Sequence, residues 1–478
     1  MDQEIELKLE LSSEAAEAFE QLALLPGESD RAELKAVYFD TPDRQLHSRG
    51  YTLRIRRSGE KRVQTVKADR GGQGGGLFAR AEWEMPVADD RPVIDSRTPL
   101  GAVLGDAAEM LEPAFKVEVE RRTWIVKEGA AEIELVLDRG WVGTGERQAP
   151  ICEAELEIKS GRPDALFSLA RRIAVAVPVR MGVAAKSERG YRLLAPAPSC
   201  FKAEPIMLEA GFGAQEAFEV IVRACVRQYR LNEDLLLDHY EPKALHQARV
   251  AVRRLRSALT LFKPKLKDQD VARFQDDLRW LAKLLGEARD LDVLIERIRP
   301  DGLEEQISEA RTIVHGRVIE ALQSARARAL MIDIVEWLTL RSDDGNDDEQ
   351  ADAFAARRLN QFHRWVLKHA DRLAKLDDEH RHEVRKKAKK LRYAAEFFGS
   401  LFDGKKQQRR YGRYIEGLED LQDVLGALND LASTGTILAQ HGLPTDAELS
   451  GGARGKKKLL AAAQDAYEAL ADAKLFWR

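Results

Sequence analysis

Four charged side chains, Glu4, Glu6, Lys8 and Glu10, alternate with Ile5, Leu7, Leu9 and Leu11 near the start of the chain. Successive residues of a β-strand point to opposite faces, so this stretch predicts a strand with an apolar back and a front of carboxylates around one ammonium. The same division recurs downstream. AEIELVLD sets Glu132, Glu134 and Asp138 in front of Ile133, Leu135 and Leu137, and ICEAELEIK sets Glu153, Glu155, Glu157 and Lys159 in front of Ala154, Leu156 and Ile158. YTLRIRR gathers Thr52, Arg54 and Arg56 on one face, and RAEWEM gathers Arg80, Glu82 and Glu84. Carboxylates two residues apart stand about 6.6–7 Å from each other along a strand and repel unless something offsets them. A sheet that closes so that its fronts face one another sets acidic strands opposite basic ones, with a highly charged ligand between them. The acidic wall suits a hard divalent cation such as Mg²⁺ or Mn²⁺, which prefers oxygen ligands. The Arg and Lys wall suits phosphate oxygens. Together they describe metal-assisted cleavage of a polyphosphate chain, a chemistry that needs no nucleophilic Ser, Cys or His.

The elements that must hold these residues change character partway along the chain. At 478 residues it is too long for one core. Up to about residue 195 the dominant period is two, with strands expected at 51–57, 62–69, 80–87, 115–126, 131–142 and 151–161. GGQGGG (71–76) reads as a flexible hairpin tip and DRG (138–140) as a turn. Helices are expected after Ser12, which reads as an N-cap, and over RPDALFSLARRIAVAV near residue 162. APAPSCFKAEP (195–205) breaks both periods and reads as a linker. Beyond it the 3.6-residue period dominates, apart from SDDGNDDEQ (342–350), whose acidic and glycine-interrupted composition predicts a disordered loop. The expectation is an α+β unit at 1–197 and an all-α unit at 206–478.

The helical half repeats itself. HQARVAVRRLRSALTLF (246–262) aligns with HEVRKKAKKLRYAAEFF (382–398), and LLGEARDLD (284–292) with VLGALNDLA (424–432), in the same order. Two similar helical bundles follow, with halves at about 206–335 and 353–478. On a helix turning 100° per residue, positions 246, 249, 253 and 256 form one stripe and 382, 385, 389 and 392 another, beside an apolar face of Val252, Leu255, Leu259 and Phe262. Such dense basic stripes, followed by KKQQRRYGR (405–413), suit a regularly spaced polyanion. Nucleic acid is disfavoured, because the stripes hold little aromatic side chain for base stacking beyond Tyr393 and the net charge is -4. The odd set of Cys152, Cys200 and Cys225 argues against a disulfide framework or a cysteine-based zinc site and fits a reducing compartment. No stretch approaches the length of a membrane span, and a soluble, cytoplasmic protein is expected.

Glu4-x-Glu6-x-Lys8 followed in order by YFDTPDRQL, GYTLRIR, TVK and AAKSERGY resembles the CYTH family, the triphosphate tunnel metalloenzymes, over residues 1 to about 195. The resemblance implies a closed antiparallel β-barrel with flanking helices, hydrolysing inorganic triphosphate with Mg²⁺ or Mn²⁺. It implies Glu4, Glu6, Asp138, Glu155 and Glu157 as metal ligands, and Arg54, Arg56, Lys67, Arg121, Lys186 and Arg189 as triphosphate contacts. Lys8 lies between the two sets and joins Glu4 and Glu6 in the catalytic group. Glu153 shares the face of Glu155 and Glu157, which leaves the register of the metal-binding pair open, and Arg121 is preferred to Arg122 by parity with Val117 and Val119. From 210 to 475 the repeated His-x-x-Arg pattern resembles the CHAD family, the conserved-histidine α-helical domain. That likeness implies polyphosphate binding through His246, Arg249, Arg253, Arg254 and Arg256 and through His382, Arg385, Lys386, Lys389, Lys390 and Arg392. Thiamine triphosphate hydrolysis, adenylate cyclase chemistry and non-catalytic polyphosphate binding are the alternatives. No protein partner is implied.

Overall fold

A computed structural model describes residues 6–68, 77–78, 81–266, 269–297, 304–341, 349–443 and 453–478. Glu4, Arg80, the GGQGGG stretch and residues 342–348 of the acidic loop lie outside the described residues. The chain divides into two compact units, residues 1–201 with 321–341, and residues 202–320 with 342–478.

The first unit is built on ten strands: β1 (Glu6–Glu10), β2 (Asp30–Asp40), β3 (Tyr51–Ser58), β4 (Lys61–Ala68), β5 (Leu77–Phe78), β6 (Ala81–Pro86), β7 (Glu112–Glu128), β8 (Ala131–Thr144), β9 (Arg147–Ser160) and β10 (Arg180–Met181). Their hydrogen-bonded order is β10-β1-β9-β8-β7-β2-β3-β4-β6, with β5 pairing β1 off this path. All pairings of these strands among the described residues are antiparallel. Among the described residues the closed barrel expected from the sequence does not form. The path is an open sheet that ends at β6 and β10, because β1 spends its second edge on two short partners, β10 at Leu9 and Glu10 and β5 at Glu6 and Leu7. The sheet still curls enough for side chains from eight of its strands to line one cavity.

Alternation builds the two faces. Leu53 and Ile55 of β3 and Leu135 and Leu137 of β8 are buried on the back, while Val117 and Val119 of β7 are buried on the face that also carries Arg121. Helices cover the apolar back, where Ser13–Glu20 buries Phe19 beside Trp124 and Asp164–Ala176 buries five side chains; Lys186–Leu193 lies on the opposite face, sending Lys186 into the cavity and packing Tyr191 against Phe115. Ser12 caps the first of these, its hydroxyl accepting from the Ala15 amide at 3.1 Å. A fourth helix, Ala325–Leu340, comes from far along the chain and belongs to this unit rather than to the helical half. It meets Asp164–Ala176 through ion pairs of Arg171 with Asp333 and Glu336.

DRG does not turn. Asp138, Arg139 and Gly140 lie inside β8, and the hairpin to β9 comes after Thr144. Glycine is needed at 140 because β7 passes so close that a Cβ there would lie 2.0 Å from the Glu118 carbonyl oxygen. β2 has no counterpart among the periodic stretches read from the sequence, although its buried Leu34, Ala36 and Tyr38 alternate as a half-buried strand should.

The second unit repeats a four-helix motif. Ala214–Asp238, Pro242–Leu261 and Asp270–Arg297 with Glu304–Gln323 correspond to Ala351–Ala370, Asp378–Phe398 and Lys405–Gln440 with Ala453–Asp472. The repeats join through Phe218, Phe262, Phe354 and Phe398, equivalent positions taken in pairs, with Phe262 stacked on Phe354 at 4.6 Å. All four are buried. Replacing Gly140 by Ala should lower stability by roughly 1–3 kcal/mol, read as a fall in the urea midpoint, because the new methyl meets backbone that cannot rotate aside.

Candidate functional site

The charged fronts of the strands meet in a cavity of about 590 Å³. From β3, β4 and β7 come Arg54, Arg56, Lys67 and Arg121; from β1, β8 and β9 come Glu6, Lys8, Glu134, Glu155, Glu157 and Lys159; Lys186 enters from the N-terminus of its helix. Parity places them: Arg121 faces inward, whereas Arg122 turns to Glu20 and Glu120.

The carboxylates form two layers. In the inner layer, Asp138, Glu153 and Glu155 bring oxygens within 4.8 Å of one another, a grouping able to hold a metal ion by distance alone. Three cations already sit on it. Lys186 Nζ is 2.7, 2.6 and 2.9 Å from Asp138, Glu153 and Glu155. Lys8 Nζ is 3.0 Å from both Glu153 and Glu155. Arg121 grips Asp138 with two hydrogen bonds of 2.8 and 2.6 Å and reaches Glu155 at 3.1 Å. Burial opposes charge on all of these groups, but the opposite charges outweigh it. Lys186, Lys8 and Arg121 are held above their usual pKa range, and Glu155, Glu153 and Asp138 below theirs.

The outer layer is a row. Glu6 lies opposite Glu157 in the β1–β9 register, and Glu157 opposite Glu134 in the β9–β8 register. Fewer cations attend it: Lys159 is 2.7 Å from Glu157 and 3.6 Å from Glu134, and Lys8 is 3.9 Å from Glu6. Burial, then Glu155, push the Glu6 carboxyl above its ordinary pKa. Three oxygen-donor side chains with incomplete charge compensation fit a hard divalent cation better than the inner layer, where ammonium groups stand in the ligand shell.

On the basic wall, Lys67 pairs with Glu82 at 2.6 Å and Arg56 with Glu84 at 3.9 Å. Arg54 Nε is buried without a hydrogen-bond partner. Burial, Arg54 and Arg121 together lower the Arg56 pKa, and Glu84 offsets them only in part. Of the residues singled out in the sequence, Glu6, Lys8, Arg54, Arg56, Lys67, Arg121, Glu155, Glu157 and Lys186 share this cavity, with Asp138 directly behind it. Arg189 is not in its lining; it pairs with Glu10 and lies 3.7 Å from Glu153. Glu4 lies outside the described residues. Glu134 and Lys159 belong to the site although neither was assigned a role from the sequence, and the signal was their parity with Asp138 and Glu157.

In the second unit the basic stripes of the two repeats converge. Arg249 and Arg253 face Arg385 and Lys389, and His246 joins them with Arg289, which the sequence reading did not assign. His246 Nδ1 and the Nε atoms of Arg253, Arg289 and Arg385 are buried without hydrogen-bond partners. Burial and Arg289, Arg253 and Arg249 push His246 down to about 4. Asp290, 3.8 Å from Arg249, and Asp430, near Arg385, supply the nearby negative charge. The other marked residues part company. Arg254 turns into the core against Glu396 at 2.6 Å, Arg392 pairs with the same carboxylate at 2.6 Å, Lys386 pairs with Glu383, and His382 meets Asn429 at 2.6 Å. Arg256 and Lys390 are neighbours on a separate patch.

A strand-built cavity of opposed charges followed by duplicated basic helices defines the class of protein. The CYTH domain model matches residues 2–191 and the CHAD domain model residues 220–439, and the chain belongs to the proteins that join these two domains. Over 204 residues it is 31% identical to an inorganic triphosphatase of Haemophilus influenzae, covering 40% of this chain and 55% of that protein. The chain thus spans about half of that relative's length. It is 28% identical over 450 residues to an uncharacterized protein of Mycobacterium tuberculosis, covering 83% of this chain and 82% of the other. The solved CHAD domain of the plant Ricinus communis is 31% identical and covers 57% of this chain and 97% of that one, with a TM-score of 0.49. No helix among the described residues is long and apolar enough to cross a membrane.

The inner layer sets the pH dependence of stability. Asp138, Glu153 and Glu155, depressed in the folded state, contribute fully above the ordinary carboxylate pKa of about 4 and lose that contribution as pH falls through their lower folded values. Glu6, raised, acts in the opposite sense but is one group against three. Calorimetry should show the first unit's transition steady from pH 7 to 5 and falling below about pH 4. Lys186→Met should cost about 3–5 kcal/mol at pH 7, since it leaves three buried carboxylates short of a cation.

Proposed function

We propose that the first unit hydrolyses inorganic triphosphate to pyrophosphate and phosphate with Mg²⁺ or Mn²⁺, and that the second binds inorganic polyphosphate. The observation that carries the enzymatic reading is the opposition, across one cavity, of the row Glu6–Glu157–Glu134 to Arg54, Arg56, Lys67 and Arg121. Within the row, Glu6 and Glu157 would hold the metal together with Glu4, a ligand by the sequence resemblance, and Glu134 would complete its oxygen shell. When bound, the metal would polarise a phosphoryl group and lower the pKa of the attacking water. Asp138 and Glu155, also read from the sequence as ligands, take another part: they keep Lys186, Lys8 and Arg121 charged and in place. Arg54, Arg56, Lys67 and Arg121 bind the phosphate chain and spread its charge, and relief of their mutual repulsion favours an anion there.

Bare triphosphate is favoured over a nucleoside or thiamine ester by the walls. Tyr38 is the one aromatic residue of the lining among the described residues; it is 4% exposed and its ring is stacked on Phe115, leaving no face for a base or thiazole. The relative named as an inorganic triphosphatase agrees with this substrate. The free thiols of Cys152, Cys200 and Cys225 agree with a cytoplasmic setting. For the helical unit, the support is the convergence of two basic stripes whose buried donors lack partners.

Phosphate release should rank triphosphate above pyrophosphate, ATP and thiamine triphosphate, and Glu157→Gln should lower kcat on triphosphate by roughly a hundredfold with the fold intact by circular dichroism. A variant as active as the parent would overturn the metal assignment. In calorimetric titration of the full chain with long-chain polyphosphate, Arg253→Gln/Arg385→Gln should weaken binding by about tenfold or more, while Lys386→Gln, paired at the surface with Glu383, should change it little.

A further inference from the structure

Lys389 differs from Lys386 and Lys387 of the basic helix, and from Lys390, which faces Lys387 and Arg256, in standing among four guanidiniums. It stands on the Asp378–Phe398 helix between Arg385 and Arg392, about one turn from each, and across from Arg249 and Arg253 of Pro242–Leu261. The strongest charges facing it are these four guanidiniums. His246, from the same opposing helix, adds no charge at neutral pH. The carboxylates on the helices packed behind are engaged elsewhere: Asp290 of Asp270–Arg297 lies 3.8 Å from Arg249, and Asp430 of Lys405–Gln440 acts on Arg385. Its neighbours contrast with it. Lys386 points outward, half exposed and paired with Glu383, and Lys387 lies over the rings of Phe362 and Trp365. The buried Nε atoms of Arg253 and Arg385 have no hydrogen-bond partner, so donors suited to a phosphate group stand beside the lysine amine.

We propose that Lys389 is a reactive amine of the helical unit and a site of covalent acylation by small acyl phosphates. The guanidiniums that repel a proton from Nζ are the groups that dock the phosphate of the reagent. Burial, then Arg253, Arg385, Arg249 and Arg392, push the amine down to about 6, so it is largely free base at pH 7.5. Its lone pair attacks the acyl carbon and forms the N–C bond. The C–O bond to phosphorus breaks, inorganic phosphate leaves with the bonding electrons, and the proton from nitrogen passes to solvent. Nothing is oxidised or reduced. The product is a neutral amide, which removes one cation from the cluster. The proposal uses the cluster read above as a polyphosphate site but does not require the polymer.

An ordinary lysine, with a pKa near 10.4, is free base to about one part in a thousand at pH 7.5. The lower basicity of Lys389 returns part of that advantage, with a Brønsted slope near 0.4–0.5 taken from thiols, and leaves about a tenfold preference. The full-length protein is treated with acetyl phosphate at pH 7.5 and acetylation is followed by mass spectrometry of peptides cut at glutamate. Lys389 should react about tenfold faster than Lys386, and the preference should vanish in Arg253→Gln/Arg385→Gln, whose fold is checked by circular dichroism. Equal or slower reaction at Lys389 overturns the proposal, as does an unchanged preference in the folded double variant. Excess tripolyphosphate added as competitor separates the two readings: selective acetylation that it does not slow upholds the reactive amine and counts against polyphosphate binding at this cluster.

Discussion

The first unit depends on one buried ion network, in which Asp138, Glu153 and Glu155 share Lys8, Lys186 and Arg121. Three carboxylates so near one another cannot stay ionised away from water unless cations meet them at hydrogen-bonding distance. The network draws on β1, β7, β8, β9 and the Lys186–Leu193 helix, so forming it brings together elements far apart in sequence. Removing one cation does more than delete a contact, because it strands charges that the cavity cannot hydrate fully.

That network also sorts the carboxylates by role. Those of the inner layer each meet two or more lysine and arginine groups, and those of the outer row meet fewer. Glu6 shows the difference: its carboxyl rises in pKa while Glu155, two residues away on the adjoining strand's register, falls. A short distance thus separates a carboxylate surrounded by cations from one short of them, and the separating factor is which cation reaches it. An open sheet suffices for this, since the cavity needs only enough curl to oppose its walls, not a sealed ring of hydrogen bonds.

The helical unit handles charge the other way. Phe218, Phe262, Phe354 and Phe398 lock the repeats together at equivalent positions. The basic stripes beside this core are thereby forced to face one another with few carboxylates between them. Repulsion among Arg249, Arg253, Arg385 and Lys389 is maintained by apolar packing, and burial together with that repulsion depresses the basicity of Lys389 and His246. The inner layer of one unit therefore pairs its buried charges internally, and the cluster of the other holds like charges together.

Much of this was legible before any coordinates. Strand parity alone separated the inward Arg54, Arg56, Glu155 and Glu157 from their apolar neighbours, because side-chain direction in a strand is local and alternates without exception over a regular stretch. The repeat, its paired histidines and the helical period were equally plain. Pairing was not. Whether β1 closes a ring, that Gly140 serves a close strand approach instead of a turn, and that Ala325–Leu340 joins the first unit all depend on contacts between residues distant along the chain. Parity likewise placed Glu153, Glu155 and Glu157 on one face but could not divide them, since the division rests on where Lys186 and Lys8 arrive. Arg253 and Arg254 are adjacent and chemically identical, yet one faces the basic cluster and the other is buried against Glu396. Residue type and local direction are properties of the sequence; the partner each charge finds is set by folding, because electrostatic energy depends on distances through space.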